Sequence, residues 1–270
     1  MYEEFYGFHE SPFNITPDPR FLFFSQRHQE AFDHLLYGIQ QRKGFIQITG
    51  EVGAGKTTLC RALLDSLGSQ YKTALILNPI MTTEQLLWLI LAELGLGPES
   101  YDRMENLDRL NRFLLEQLKA GGDVVLIFDE AQDLSGELLE QIRLLSNLET
   151  DQRKLLQIVL IGQPELRWLL DQPGLRQLRQ RITVRYHLAP LSLDQTGHYI
   201  QHRLHVAGAN SRPTFDRWAV RKIHRFSGGV PRLINAVCDK TLLYGYVRGD
   251  DRLGRRHVAR AIRELEGHTG

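Results

Sequence analysis

Residues 50 to 57 read Gly50-Glu51-Val52-Gly53-Ala54-Gly55-Lys56-Thr57, which fits G-x-x-x-x-G-K-[ST], the pattern of a loop that wraps phosphate groups. The pattern constrains a fold through its setting. Phe45-Ile46-Gln47-Ile48-Thr49 ahead of it alternates and is rich in β-formers, and Thr58-Leu59-Cys60-Arg61-Ala62-Leu63-Leu64 behind it has helical spacing. A strand, a glycine-rich bend and a helix in that order gather backbone N–H groups and the positive end of a helix around one anion. The glycines let the backbone close on phosphate oxygens without Cβ atoms in the way. Lys56 is expected to reach the β- and γ-phosphates of a nucleotide, and Thr57 to hold Mg²⁺. Gly50, Glu51, Val52, Gly53, Ala54, Gly55, Lys56, Thr57 and Thr58 are the expected nucleotide contacts.

Cleaving a bound nucleotide needs a second group that holds the metal and orients water. Val124-Val125-Leu126-Ile127-Phe128 is a continuous apolar run, as in a strand buried on both faces of a parallel sheet, and it ends directly in Asp129-Glu130. Open α/β sheets bind ligands beyond the carboxyl ends of their strands. The two acids are therefore expected beside the loop, at the tip of the neighbouring strand, with Asp129 on Mg²⁺ through water and Glu130 polarising the attacking water. Residues 73–77, 157–161 and 183–188 read as further strands, separated by helical patterns that include 83–94, 107–118 and 136–148. Strands alternating with helices predict a doubly wound, five-stranded parallel sheet. Gln163 follows the fourth of these strands and is read as a hydrogen-bonding partner of the attacking water or γ-phosphate, with a turn role beside Pro164 as the alternative.

At 270 residues, net charge +1 and 42% hydrophobic composition, the chain has room for one large soluble domain and a smaller one. The opening Met1-Tyr2-Glu3-Glu4-Phe5-Tyr6 carries acids where a secretory leader needs basic residues, so a cytoplasmic location is expected. The richest apolar stretch, 86–96, is interrupted by Glu93 and Gly95 and falls short of a membrane span, so no direct insertion is expected. Cys60 and Cys238 lie in separate helical patterns, in neither metal-ligand nor redox spacing, and are read as reduced packing residues. Arg176, Arg179, Arg181, Arg185, Arg217, Arg221, Arg225, Arg232, Arg252, Arg255 and Arg256 crowd the last third, a distribution that invites anionic partners.

With the phosphate loop, the strand ending in Asp129-Glu130-Ala131-Gln132, and Gly228-Gly229-Val230-Pro231-Arg232, the chain resembles the AAA+ ATPases. More narrowly, it is similar to the general secretion pathway protein A (ExeA-like) family. That likeness rests on Met1-Tyr2, Phe5-Tyr6-Gly7, Pro12-Phe13, Thr16-Pro17-Asp18-Pro19-Arg20-Phe21, His28, Glu30-Ala31, Tyr37-Gly38, Thr49 through Thr58, Leu77-Asn78-Pro79 and Ile161-Gly162-Gln163-Pro164-Glu165-Leu166. The resemblance implies a P-loop NTPase domain over 1–190 and a small all-helical AAA+ lid over 191–270. Apolar periodicity at 194–206, 215–226, 231–246 and 257–265 agrees with such a lid.

The resemblance further implies ATP and Mg²⁺ as cofactors and hydrolysis to ADP and phosphate. Arg232 resembles the lid arginine that touches the γ-phosphate from the same chain. Arg181, just before the fifth strand, resembles the finger that completes a neighbour's site, with Arg176 and Arg179 competing for the role. A trans-acting finger requires an oligomer, expected as a hexameric ring that forms with ATP. The family works with an inner-membrane partner in assembling a secretin, a pilus or an exopolysaccharide system, at the inner face of the inner membrane. Its secretion members often continue into a transmembrane helix and a periplasmic wall-binding region, whereas this sequence ends at Gly270. A short stand-alone member or a cytoplasmic module is expected.

Other signals rank lower. His198, His202 and His205 recur at i, i+4 and i+7, a Zn²⁺-compatible spacing, and are read as a solvated helix face. Asp129-Glu130-Ala131-Gln132 also occurs in helicase-like motors, but those need a second motor domain. An ATP-dependent DNA-binding regulator of the transposition or replication-initiator type is the alternative function. Its basic residues are spread over several helices with Asp216, Asp239, Asp250 and Asp251 among them, so nucleic acid ranks second. A scaffold that binds ATP without turnover is a third class. The aromatic segment from Phe5 to Phe24 is expected to pack on the sheet and close over the adenine.

Overall fold

The computed structural model describes residues 1–77, 80–97, 102–150 and 153–267. Asn78 and Pro79, part of the family likeness, lie outside the described residues. In chain order the elements are α1 (Tyr2–Tyr6), α2 (Gln26–Gln40), β1 (Phe45–Gly50), α3 (Lys56–Ser66), β2 (Tyr71–Ile76), α4 (Thr83–Glu93), α5 (Arg103–Lys119) and β3 (Asp123–Phe128). They continue with α6 (Gly136–Leu145), β4 (Leu156–Gly162), α7 (Glu165–Leu170), α8 (Arg176–Arg181), β5 (Ile182–Leu188) and α9 (Leu193–Val206). The last are β6 (Thr214–Phe215), α10 (Arg217–Ser227), α11 (Pro231–Arg248), β7 (Arg252–Leu253) and α12 (Arg255–Leu265). The chain folds as two units: residues 1–28, 51–58 and 189–270 form one, and residues 29–50 and 59–188 form the other.

The second unit is built on a five-stranded sheet of order β2-β3-β4-β1-β5, parallel throughout. Strands β1 and β4 are buried along their whole length, whereas along the edges β2 and β5 buried residues are interspersed with half-buried or exposed ones. Alternation along β1 sends Phe45 into the core made with α4, α5 and α6, through Leu86, Ile90, Leu110, Leu114 and Ile142. It sends Ile46 to the opposite face, where an added Cβ on Gly38 of α2 would run into its side chain. Side chains start the covering helices: Thr82 and Gln85 form a reciprocal cap on α4, and Asp102 and Ser135 cap α5 and α6. One expectation needs correcting. β3 is not the neighbour of β1, because β4 lies between them and pairs with both. The chain nonetheless leaves β1 and β3 at the same edge, since all five strands run one way.

The first unit has its own core, and the opening segment belongs to it. Tyr2, Tyr6, Phe8, Phe13 and Phe21 cluster with Ile200 of α9, Ile223 of α10, Val237 and Leu242 of α11 and Val258 of α12. This corrects the expectation that the segment packs on the sheet. A helical region of about 80 residues has little apolar surface to bury by itself, and five aromatic residues supply what it lacks. Arg203 of α9, buried, ties the segment down: its guanidinium lies 4.6 Å over the Phe21 ring and donates to the carbonyls of Pro12 and Asn14. Tyr6 donates its hydroxyl to the Asp250 carbonyl at 3.0 Å, and burial pushes that phenol up to about 12. Tyr6→Ala is expected to lower unfolding stability by about 3 kcal/mol, the usual cost of deleting a buried aromatic ring. Urea unfolding followed by tryptophan fluorescence checks this. A loss under about 0.5 kcal/mol would place the segment outside the core.

The helices of this unit are joined by a two-residue parallel ladder between β6 and β7. The histidines of α9 do not share one solvated face. His198 and His205 are exposed, but His202 is half-buried against the Phe23 ring at 5.7 Å, and burial holds its imidazole below the ordinary range. Among the described residues no group of three or more His, Cys, Asp or Glu side chains gathers as a metal site. No described helix is long and apolar enough to cross a membrane.

Candidate nucleotide site

The loop that leaves β1 and enters α3 is held by groups of its own unit. Gly53 has φ 77°, and a Cβ there would run into Cβ of Arg232, so only glycine fits both the backbone and the approach. The Arg232 N–H donates to the Gly53 carbonyl at 3.2 Å. That N–H belongs to the first turn of α11, which has no carbonyl partner within the helix, so the loop satisfies it. Gly229, at φ 82°, sets the helix start: its carbonyl accepts from Leu191 N–H at 2.9 Å, and an added Cβ would meet the Leu191 carbonyl. The Arg232 side chain itself is exposed. Lys56 is 6% exposed and donates to the Glu51 carbonyl at 3.1 Å, while Thr57 and Thr58 follow it, half-buried, in the first turn of α3.

A residue to which the sequence alone assigns no role completes the loop. His28, 3% exposed, places Nε2 3.1 Å from the Ala54 carbonyl and Nδ1 2.8 Å from Ser25 Oγ. A carbonyl only accepts, so Nε2 carries the proton and Nδ1 accepts from the serine hydroxyl. Ser25 also takes the His28 N–H at 3.3 Å, capping α2. Burial holds the imidazole below its ordinary pKa, opposed by its bond to Ala54. In a trans peptide the C=O and the next N–H point opposite ways, so anchoring the Ala54 carbonyl fixes the direction of the Gly55 N–H. The signal is present in the sequence as Ser-x-x-His at a helix start.

In the other unit, Asp129 and Glu130 follow β3 directly. Asp129 is 2% exposed, continues the ladder through its N–H to the Ile76 carbonyl at 2.9 Å, and accepts from Glu130 N–H at 2.9 Å. Cys60 of α3 lies near it: burial, reinforced by the Asp129 charge, pushes the thiol up to about 12. Both cysteines are free and buried. Glu130 sits at φ 50°, ψ 39°, a left-handed conformation that costs about 1 kcal/mol or more for a residue with a Cβ. Two amides hold its side chain. Gln132 Nε2 donates to Glu130 Oε2 at 3.0 Å, and Gln163 Nε2 donates to the same oxygen at 3.3 Å. Gln132 Oε1 in turn accepts the Gln163 N–H at 2.9 Å. Gln163 is thus directed at Glu130, and Gln132, in the sequence only part of a motif, links the two.

Arg181 stands apart from this group. It ends α8 at the amino end of β5, whereas Glu130 and Gln163 follow the carboxyl ends of β3 and β4, so opposite edges of the sheet carry them. Its Nη1 donates to Ser146 Oγ at 2.8 Å. Arg179 pairs with Asp171 at 3.0 Å, and Arg176 is exposed at the start of α8.

The comparisons with known proteins agree with this architecture. The AAA domain family profile matches residues 39–170. General secretion pathway protein A of Aeromonas hydrophila is 48% identical over 271 residues, which cover 99% of this chain and 49% of the relative, so the chain spans about half the length of that protein. Among solved structures, the Aeropyrum pernix ORC2 protein in its ADPNP-ADP complexes superposes with a TM-score of 0.69 at 18% identity, covering 95% of this chain and 72% of that one. Cdc6p from Pyrobaculum aerophilum gives 0.70 at 16% identity, covering 94% and 70%. At such identities these structures speak for the fold alone. With the profile, the relative and the parallel sheet in agreement, the chain belongs to the AAA+ proteins, in the general secretion pathway protein A family.

Proposed function

We propose that the chain is a Mg²⁺-dependent ATPase that cleaves ATP to ADP and phosphate. We further propose that it drives assembly of an envelope secretion, pilus or exopolysaccharide system through an inner-membrane partner, at the inner face of that membrane. The observation that carries the reading is the phosphate loop pinned at Gly53 by the helix that bears Arg232. A lid arginine whose backbone is bonded to the loop moves with it, so the lid senses what the loop holds.

Each residue then has a task. Loop N–H groups and Lys56 bind the β- and γ-phosphates, and Arg232 adds charge to the γ-phosphate from the lid. The Thr57 hydroxyl and the Asp129 carboxylate are hard oxygen donors, the set that suits a Mg²⁺ carried on phosphates with waters completing its shell. That ion would neutralise charge on the phosphate oxygens. Glu130 accepts the proton of the attacking water, and Gln163 orients it. Arg181 acts on the site of another copy. Titration calorimetry with Mg²⁺-ATP and a phosphate-release assay test the reading; absence of ATP uptake would overturn it.

His28 provides a sharper check on the loop. His28→Ala is expected to weaken ATP binding by about tenfold, the worth of one well-placed hydrogen bond, with kcat little changed. His28→Gln, which can return an amide donor to the Ala54 carbonyl, should recover most of the affinity. The buried imidazole also makes a pH signature. Its folded pKa is depressed, so as pH drops below about 6.5 the unfolded chain takes up a proton that the folded chain refuses, and stability falls until the folded pKa is reached. Between about pH 7 and about pH 5 the wild type should lose more thermal stability than His28→Gln. Equal losses would remove His28 from the loop's support.

A further inference from the structure

The largest concentration of cationic side chains lies on α10 and α12, which pack against each other. Helix α10 carries Arg217, Arg221, Lys222 and Arg225 with no acid among its residues, and α12 carries Arg255, Arg256, Arg260 and Arg263. Arg221, Lys222, Arg225 and Arg263 make no ion pair among the described residues. Between the two helices runs an open groove of about 550 Å³. Its floor is apolar, from Phe226, Ala259 and Ile262, and its walls are Lys222, Arg225 and Arg263, with one acid, Glu266, at the end of α12, so three cations face a single carboxylate. Trp218, one turn before Lys222 and 48% exposed, is flanked by the guanidinium groups of Arg217 and Arg221, 5.0 and 5.2 Å from its ring.

Charge alone selects any polyanion, so shape and floor must decide among them. A duplex presents phosphates on a convex, polar surface and gains nothing from an apolar floor. An anionic bilayer is flat and cannot enter a groove. A helix with one apolar stripe and acidic flanks satisfies both features: the stripe covers the floor while the carboxylates meet the walls. The lining runs from Lys222 to Phe226 on α10 and from Ala259 to Glu266 along α12, about 10 Å of helix, room for about two turns of a partner helix. We propose that the α10–α12 groove docks an acidic amphipathic helix of a partner protein, with its apolar face on Phe226, Ala259 and Ile262 and its carboxylates on Lys222, Arg225 and Arg263. The proposal goes beyond the nucleotide chemistry and is read without nucleotide, so its failure and that of the ATPase reading are separable.

The test uses the whole chain and a fluorescein-labelled peptide of about 15 residues, with leucine at i, i+3, i+4 and i+7 and glutamate elsewhere. Binding is followed by anisotropy. The triple variant Lys222→Glu, Arg225→Glu, Arg263→Glu should weaken binding by about tenfold or more, and the uncharged Lys222→Gln, Arg225→Gln, Arg263→Gln version by an intermediate factor. A peptide with serine in place of leucine should fail to bind. Unchanged binding in both triple variants, with their thermal melts matching wild type, would overturn the proposal. So would serine and leucine peptides of equal affinity, or loss in these variants of binding to duplex DNA or phosphatidylglycerol vesicles with peptide binding kept.

Discussion

Glu130→Gln is expected to lower the rate of ATP hydrolysis by about 10² to 10⁴-fold while ATP binding stays within a small factor of wild type. Glutamine has the shape of glutamate and keeps an oxygen able to accept from Gln132 and Gln163, so the local network and the left-handed backbone at residue 130 survive. What is lost is the anionic oxygen proposed to take the water's proton. Because binding continues and cleavage stops, the variant should accumulate in the assembled, ATP-bound form. Single-turnover phosphate release measures the first effect and light scattering under saturating ATP the second. A variant that turns over at the wild-type rate would remove Glu130 from the chemistry, and one that stays a monodisperse monomer would separate ATP binding from assembly. Gln132→Ala and Gln163→Ala loosen the same carboxylate without deleting it, and about tenfold slower turnover is the expected outcome for each.

The contrast between Glu130 and Gln132 shows where the sequence was legible. Glu130 follows a continuous apolar run that becomes a fully buried strand end, and a buried strand announces its own carboxyl tip. Gln132 is recognisable only once β4 places Gln163 beside it, since nothing in the pair's spacing, 31 residues apart, predicts the contact. The same division holds for the sheet. The edge strands β2 and β5 intersperse buried residues with half-buried or exposed ones and the inner strands do not, yet which inner strand separates β1 from β3 is decided by packing that no single strand encodes. The opening aromatic segment failed as a prediction for a related reason. Beyond Tyr2, Phe5 and Tyr6, which sit at helical spacing in α1, its aromatic residues follow neither a period of two nor of 3.6, and the core it joined was settled by which helices lacked cover.

The bend between β1 and α3 was legible because glycine positions report backbone requirements directly, and Gly53 is an instance, with positive φ and a neighbour where its Cβ would lie. The clamp on that loop was less so. A single histidine at the third position of a helix reads as a cap residue, and only burial together with the Ala54 carbonyl turns it into a support. The basic residues of the last third were legible as composition and not as a surface: periodicity placed them on helices, while the packing of α10 on α12 concentrated them around one groove.

Arg181→Ala is expected to retain ATP binding and to lose about 10³-fold or more of turnover, the range by which an arginine finger raises phosphoryl-transfer rates. Arg181 lies at the amino end of β5, Asp129 and Glu130 follow the carboxyl end of β3 and Gln163 that of β4, and a strand of seven residues is about 23 Å long, so a guanidinium at residue 181 does not reach its own chain's Glu130 side of the sheet. In the proposed ATPase a charge placed there would serve a second copy. Its present partner, the Ser146 hydroxyl at 2.8 Å, is neutral, and leaving it costs about 1 kcal/mol, small beside what a transition-state charge returns. Arg179 is engaged by Asp171, and Arg176 is exposed at the start of α8, so with Arg181 as the finger Arg179→Ala and Arg176→Ala should slow turnover less than about tenfold. Trans action has its own readout. Mixing Arg181→Ala with Lys56→Ala, each inactive alone, should restore part of the activity, because a subunit with an intact loop then stands beside one with an intact finger. No recovery on mixing, with both variants shown to co-assemble, would mean that Arg181 works within its own chain or not at all. A thousandfold loss in Arg179→Ala or Arg176→Ala instead would move the finger to that residue.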